Sequence, residues 1–173
     1  MKQITLLFLL IVQSTIAQNS LFNQIEAKNI GPTIMSGRVV DLAVNPKNPT
    51  EFYVAYATGG LWHTNNNGTS FSPVMDSAET VNCGSVTVDW NSGTIWVGTG
   101  EVNASRSSYA GVGVLKSSDK GKTWDNLGLK DSHHISRIWV NPSNLNEIVV
   151  AAVGHLYTTN KERGIYKSTD GGK

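Results

Sequence analysis

Apolar and polar residues alternate along this chain in short runs, and the runs recur in sets. Leu42-Ala43-Val44-Asn45-Pro46, Val86-Thr87-Val88-Asp89-Trp90 and Ile138-Trp139-Val140-Asn141-Pro142 align without gaps, each a strand closed by a turn signal. A second set follows at Glu51 to Tyr56, Thr94 to Thr99 and Glu147 to Ala152, rich in Val, Ile and aromatic residues. Gly60-Leu61-Trp62-His63, Gly113-Val114-Leu115-Lys116 and Gly164-Ile165-Tyr166-Lys167 make the third set. A fourth runs from Phe71 to Val74 and from Trp124 to Leu127. No segment carries a helical period.

One phrase stands between the third and fourth runs. It reads Thr64-Asn65-Asn66-Asn67-Gly68-Thr69-Ser70-Phe71, then Ser117-Ser118-Asp119-Lys120-Gly121-Lys122-Thr123-Trp124, then Ser168-Thr169-Asp170-Gly171-Gly172-Lys173. The copies begin at 64, 117 and 168, a period of about 50 that marks a repeat array. Asn66, Asp119 and Asp170 are placed to fold back onto turn amides. Gly68, Gly121 and Gly172 supply positive φ, and Phe71 and Trp124 restart the strand with an aromatic anchor. These residues are spent on the turn, so the phrase is scaffold rather than chemistry.

Four antiparallel strands per period define the blade of a β-propeller. The expected fold is therefore all-β, a β-propeller fragment of four-stranded antiparallel blades. Blade 1 is expected over 38–74, blade 2 over 83–127 and an incomplete blade 3 over 133–173. Asn29-Ile30-Gly31 echoes Asn126-Leu127-Gly128, so 18–37 reads as an outer strand, from about Phe22 to Ile30, that closes the last blade. Two blades and most of a third fall short of the four to eight or so that close a ring. The rest of the propeller is expected beyond residue 173, with exposed strand edges an association hazard for this piece alone.

The first 17 residues have the form of a signal peptide. Met1-Lys2 opens it, Ile4 to Val12 is its apolar stretch, and Thr15-Ile16-Ala17 resembles a cleavage site. That apolar stretch is too short for a standard membrane span, so no transmembrane segment is expected. Export to the periplasm, the outer surface or the medium follows. Cys83 is the only cysteine, which excludes an intrachain disulfide and favours a bacterial setting. A net charge of +1 with no basic stripe argues against nucleic acid as a partner.

Ile30-Gly31-Pro32 with Ser36-Gly37-Arg38, Val97-Gly98-Thr99-Gly100-Glu101-Val102-Asn103 and the phrase ending at Lys173 carry a family likeness. Over about residues 28–173 the chain resembles the Asp-box, or BNR, propellers. Within them it is most similar to sortilin-like N-terminal domains and to the secreted bacterial group named glycosyl hydrolase or xyloglucanase-like. The resemblance implies the propeller fold. It leaves activity open, because such propellers include hydrolases, sorting receptors and surface proteins.

Strand order puts the repeated turns on one side of the disc, and the loops between second and third strands on the other. Those latter loops vary in length and are the expected seat of function. They and the blade links hold Glu101, Asn103, Arg106, Tyr109, His133, His134, His155, Lys161, Glu162 and Arg163. Glu101 reads either as a general acid or sugar-hydroxyl acceptor, or, preferred, as the partner of Arg106 in pinning a long loop. Arg38 and Arg137 start innermost strands. With Asp41 they either line the central channel as ligand-binding groups or, preferred, bridge blades, Asp41 to Arg137 for instance.

Two functions follow as expectations. One is a module that binds a glycan, protein or peptide. The other is a glycoside hydrolase, for which Glu101 and Asp41 are the carboxylates to consider, with a second carboxylate possible beyond Lys173. Asp89 reads as a turn residue on the wrong face. A sialidase reading lacks both the Phe/Tyr-Arg-Ile-Pro opening and arginines beyond Arg38, Arg106, Arg137 and Arg163. No cofactor and no metal are expected: His133 and His134 are adjacent and point to opposite sides of extended chain, and there is no HExxH.

Overall fold

A computed structural model describes residues 37–103 and 108–173. The expected signal peptide, the expected closing strand from Phe22 to Ile30, and Arg106 lie outside the described residues. The architecture is all-β, built of antiparallel sheets. The first sheet orders β1 (Val39–Val44), β2 (Phe52–Tyr56), β3 (Gly60–Thr64) and β4 (Ser72–Pro73) side by side. The second repeats it with β5 (Cys83–Asp89), β6 (Thr94–Thr99), β7 (Val114–Ser117) and β8 (Asp125–Asn126). A 3₁₀ turn at Lys130–Ser132 leads to the third, of β9 (Ile135–Asn141), β10 (Asn144–Ala152) and β11 (Gly164–Ser168). Four-stranded meanders packed side by side are propeller blades.

Local hydrogen bonds show why the phrase repeats. The hydroxyls of Thr64, Ser117 and Ser168 accept the amides of Gly68, Gly121 and Gly172 at 3.0, 2.7 and 2.8 Å. The same hydroxyls donate to Asn66, Asp119 and Asp170 at 3.0, 2.8 and 2.7 Å. Those side chains accept the next amides: Ser70 on Asn66, Lys122 and Thr123 on Asp119, Lys173 on Asp170. The glycines take φ of 80°, 90° and 89°. The residues before two of them, Asn67 and Lys120, are also left-handed, at 57° and 63°, a conformation the sequence pattern assigns to glycine alone.

The turns between the first and second strands repeat equally well. Asn45 and Asn141 donate to Glu51 and Glu147 at 2.8 and 2.7 Å, and each accepts an amide two residues ahead. Asp89 does the corresponding work with Ser92. A bulge recurs where the innermost strands begin. Val40, Gly84 and Ser136 are each the extra residue, and this bends the strand entrance.

Alternation decides the core. All of β6 is buried, and its two faces serve two interfaces. Ile95 and Val97 pack with Tyr53, Leu61 and Leu115 between the first two blades. Trp96 packs with Ile135, Ile138 and Val150 between the second and third. Cys83 lies in the first cluster, and burial pushes its thiol up to about 12, as suits a small apolar residue rather than a nucleophile. The aromatic anchors are only half-buried. Phe71 meets Phe52 edge-on at 6.1 Å, and the Trp124 indole N–H donates to the Val74 carbonyl at 3.0 Å, tying blade 2 to the outer strand of blade 1. Among the described residues no helix is long and apolar enough to cross a membrane.

The turn carries a pH signature. The Thr123 amide, then the Thr123 and Ser117 hydroxyls, hold the Asp119 carboxyl at about 2. Its folded pKa lies below the unfolded value of about 3.9, so its stabilisation is complete above that value and is lost as pH falls towards 2. Asp119→Asn, which installs the residue type of Asn66, is expected to be less stable at neutral pH and to lose less on acidification, because it lacks the carboxylate whose stabilisation is titrated away. Denaturant midpoints at roughly pH 3 and pH 7 check it. Equal acid losses in the two proteins would contradict the assignment.

Candidate functional site

Two sets of loops occupy opposite ends of the blades. At one end the Asn67 amide donates to Thr50 O, and the Gly171 amide to Asn146 O, both at 2.9 Å, so the repeated turns cap the first-to-second strand turns. The side chains of Asn66, Asp119 and Asp170 there are engaged within their own turns. At the other end lie the links between blades and the loops at 57–59, 100–113 and 153–163. Backbone bonds knit this end together. Gly100 N–H donates to Asn82 O at 2.9 Å, Gly111 N–H to His133 O at 2.7 Å, and Val153 N–H to His134 O at 2.8 Å.

Glu101 leaves β6 into this region with its side chain fully buried, and it forms an ion pair with Arg38. The cation comes from the entrance of β1, 63 positions earlier; the expected partner Arg106 lies outside the described residues. One carboxylate oxygen of Glu101 is buried without a hydrogen-bond partner among the described residues. The Glu101 amide donates to Tyr109 O at 3.2 Å. Asn103 is exposed, and its carbonyl accepts the Ser108 hydroxyl at 3.1 Å.

Asp41 and Arg137 meet at 3.3 Å, so the bridging alternative describes them. Asp41 also accepts the amides of Val86 and Leu42, each at 3.0 Å. One carboxylate thus joins β1, β5 and β9, the three innermost strands. Thr87 adds a second tie, donating to Ile138 O at 2.7 Å. Ser85, aligned with Asp41 and Arg137, departs from them: it is buried, and its hydroxyl has no partner among the described residues. Asp89 is held in its turn by Ser92, as expected of a turn residue.

The histidines divide. His134 is buried, and burial first, then His133 and His155, push its pKa down, which favours the neutral ring. His133 sits at φ 58° and stacks on His155 with ring centroids 3.6 Å apart. His155 Nε2 lies 3.1 Å from Asp131 Oδ1. Arg163 donates to the His155 carbonyl at 2.6 Å, and Asn160 bonds both Asp131 O and the His155 amide. Sequence reasoning points to His133, His155 and Arg163 but passes over Asp131 and Asn160. The Asp131-x-His133 spacing is the signal that could have found the first of these.

The blades, their antiparallel order and the two-ended loop arrangement define the chain as a β-propeller fragment. No protein-family model matches it. No curated protein matches it at a significant level. Among solved structures it is similar to an ancestral GH74 enzyme, with 21% identity and a TM-score of 0.63 over 85% of this chain and 19% of that one. It is also similar to YCF48 from Cyanidioschyzon merolae, with 19% identity and a TM-score of 0.50 over 82% of this chain and 37% of that one. Both are β-propeller proteins, and at this identity the likeness shows the fold alone. The chain spans about a fifth of the length of the GH74 enzyme that it matches.

Proposed function

We propose that this chain belongs to an exported Asp-box propeller that binds a glycan or a protein segment through its loop-rich end. The supporting observation is how its side chains are spent. The carboxylates singled out for chemistry are consumed in strand-joining ion pairs: Asp41 with Arg137 and Glu101 with Arg38. Large amphipathic side chains instead stand out from the variable loops, with Tyr109 56% and Tyr157 81% exposed. Exposed tyrosines supply contact area at low entropic cost and suit sugar rings and peptides alike.

Glycan arrays and pull-downs with the intact protein test this reading. Tyr109→Ala and Tyr157→Ala are each expected to weaken binding about tenfold, equivalent to about 1.4 kcal/mol, with the fold unchanged. No ligand in either format would refute it. Export is checked by sequencing the mature N-terminus, which is expected to begin at Gln18.

A hydrolase reading draws on one feature, the buried Glu101 oxygen without a partner among the described residues. It requires a second carboxylate about 5–5.5 Å away for retention or about 6.5–9.5 Å for inversion. Under it, Glu101→Gln abolishes polysaccharide cleavage by the intact protein. Cleavage that survives the substitution, or no cleavage by the parent, eliminates it.

A further inference from the structure

We infer that Asp131, His133 and His155 form a binding site for a borderline transition-metal ion of the zinc type, at the loop-rich end between blades 2 and 3. Their potential ligand atoms all lie within 4.8 Å of one another. His155 Nε2 and Asp131 Oδ1 are 3.1 Å apart. Two ligands at zinc bond lengths in a tetrahedron stand about 3.4 Å apart, so this pair is close to coordinating separation. The set is two imidazoles and one carboxylate. That composition favours zinc and its neighbours over magnesium or calcium, which prefer all-oxygen shells.

The surroundings organise these ligands. The other ring nitrogen of His155, Nδ1, lies 2.7 Å from Thr158 Oγ1, which leaves Nε2 as the coordinating atom. Asn160 clamps the two backbones that carry Asp131 and His155. Its Oδ1 accepts the His155 amide at 3.1 Å, and its Nδ2 donates to the Asp131 carbonyl at 2.7 Å. The clamp joins the blade link to the β10–β11 loop, segments that are remote in sequence.

His133 is fixed from the opposite side. Its left-handed backbone, unusual for a residue with a side chain, is held by the Gly111 amide on its carbonyl. Stacking then lays its ring against His155. Parallel rings direct their lone pairs alongside rather than towards one point, so His133 must turn its ring to complete the shell. The Asp131 side chain is 62% exposed and opens the remaining coordination position to solvent. Affinity in the micromolar range is expected, weaker than in a closed structural site.

The competing explanation is a plain His155–Asp131 hydrogen bond beneath a ring stack. Titration of the intact protein with zinc chloride by calorimetry, and with cobalt(II) by visible absorption, separates the two. The expected result is one ion per chain, a tetrahedral cobalt band, and no displacement by excess calcium or magnesium. His155→Gln and Asp131→Asn are each expected to lower zinc affinity about tenfold or more. His133→Asn, which tolerates the left-handed backbone, is expected to do the same. His63→Ala, at the opposite end, serves as the unaffected control. Zinc is also expected to raise the melting temperature of the parent and not of the three variants. No binding at about 100 µM free zinc, or binding unchanged in all three variants, overturns the site.

Discussion

Gly100→Ala is expected to abolish the native fold. Gly100 adopts φ +83°, where an L side chain is strained, and an added Cβ would lie 1.8 Å from the His133 carbonyl oxygen and 2.7 Å from the Gly111 amide nitrogen. Both neighbours are backbone, and both belong to the bond that ties the 100–113 loop to the blade 2–3 link. Neither has a rotamer through which to yield. The cost is expected to exceed about 4 kcal/mol, in the range reserved for severe overpacking. For a protein of this size that corresponds to a melting temperature about 10 °C or more lower, or to no cooperative transition. Gly128→Ala is the matched control. Its φ is +108°, but nothing lies within 4 Å of the place its new methyl would take, so only backbone strain remains, about 1–2 kcal/mol. Melting curves of the intact protein decide the matter, and a Gly100→Ala protein that melts within a few degrees of the parent would contradict the packing described.

The elements legible in the sequence are those whose cause is local. The turn phrase works through bonds spanning two to four residues, such as Ser117 to Gly121 and Asp119 to Thr123, so its pattern survives in the chain as spelling. The gapless alignment of innermost strands likewise puts Asp41 within reach of Arg137 two blades on, because equivalent positions at the entrances of β1, β5 and β9 lie close together. The left-handed Asn67 and Lys120 escape such reasoning because neither residue type demands that conformation. The bulges at Val40, Gly84 and Ser136 escape it for a different reason: a bulge is a property of register between two strands, and one strand's alternation does not reveal it.

The candidate site is less legible. Its residues meet through loops whose paths no periodicity constrains. Nothing local in the sequence points from Glu101 to Arg38, because their ion pair crosses from the end of β6 to the entrance of β1. The sequence sets His133 against His134, its neighbour along the backbone, while its ring neighbour His155 arrives on the β10–β11 loop. Asp131 and Asn160 are unremarkable until that loop brings them together. For His133, chain proximity competes with spatial proximity and is the poorer guide.

Arg38→Met is expected to cost about 2–3 kcal/mol, because it strands a buried carboxylate. The side chain of Glu101 is 1% exposed, that of Arg38 52%. The full penalty for breaking a buried pair, about 3–5 kcal/mol, is therefore reduced on the arginine side, where solvent already screens the charge. Adding Glu101→Gln removes the charge that Arg38→Met leaves uncompensated, so the double variant is expected to be more stable than Arg38→Met alone. That reversal is what separates an ion pair from simple packing by the long arginine stem. Urea midpoints for the parent, both single variants and the double variant supply the cycle. An additive cycle would mean that Arg38 acts through its aliphatic stem, and that Glu101 is kept buried by something other than its charge partner. A non-additive one fixes the pair as the strut between blades 1 and 2 at the loop-rich end. It would then follow that Glu101 serves the position of the binding loop rather than contact with its ligand.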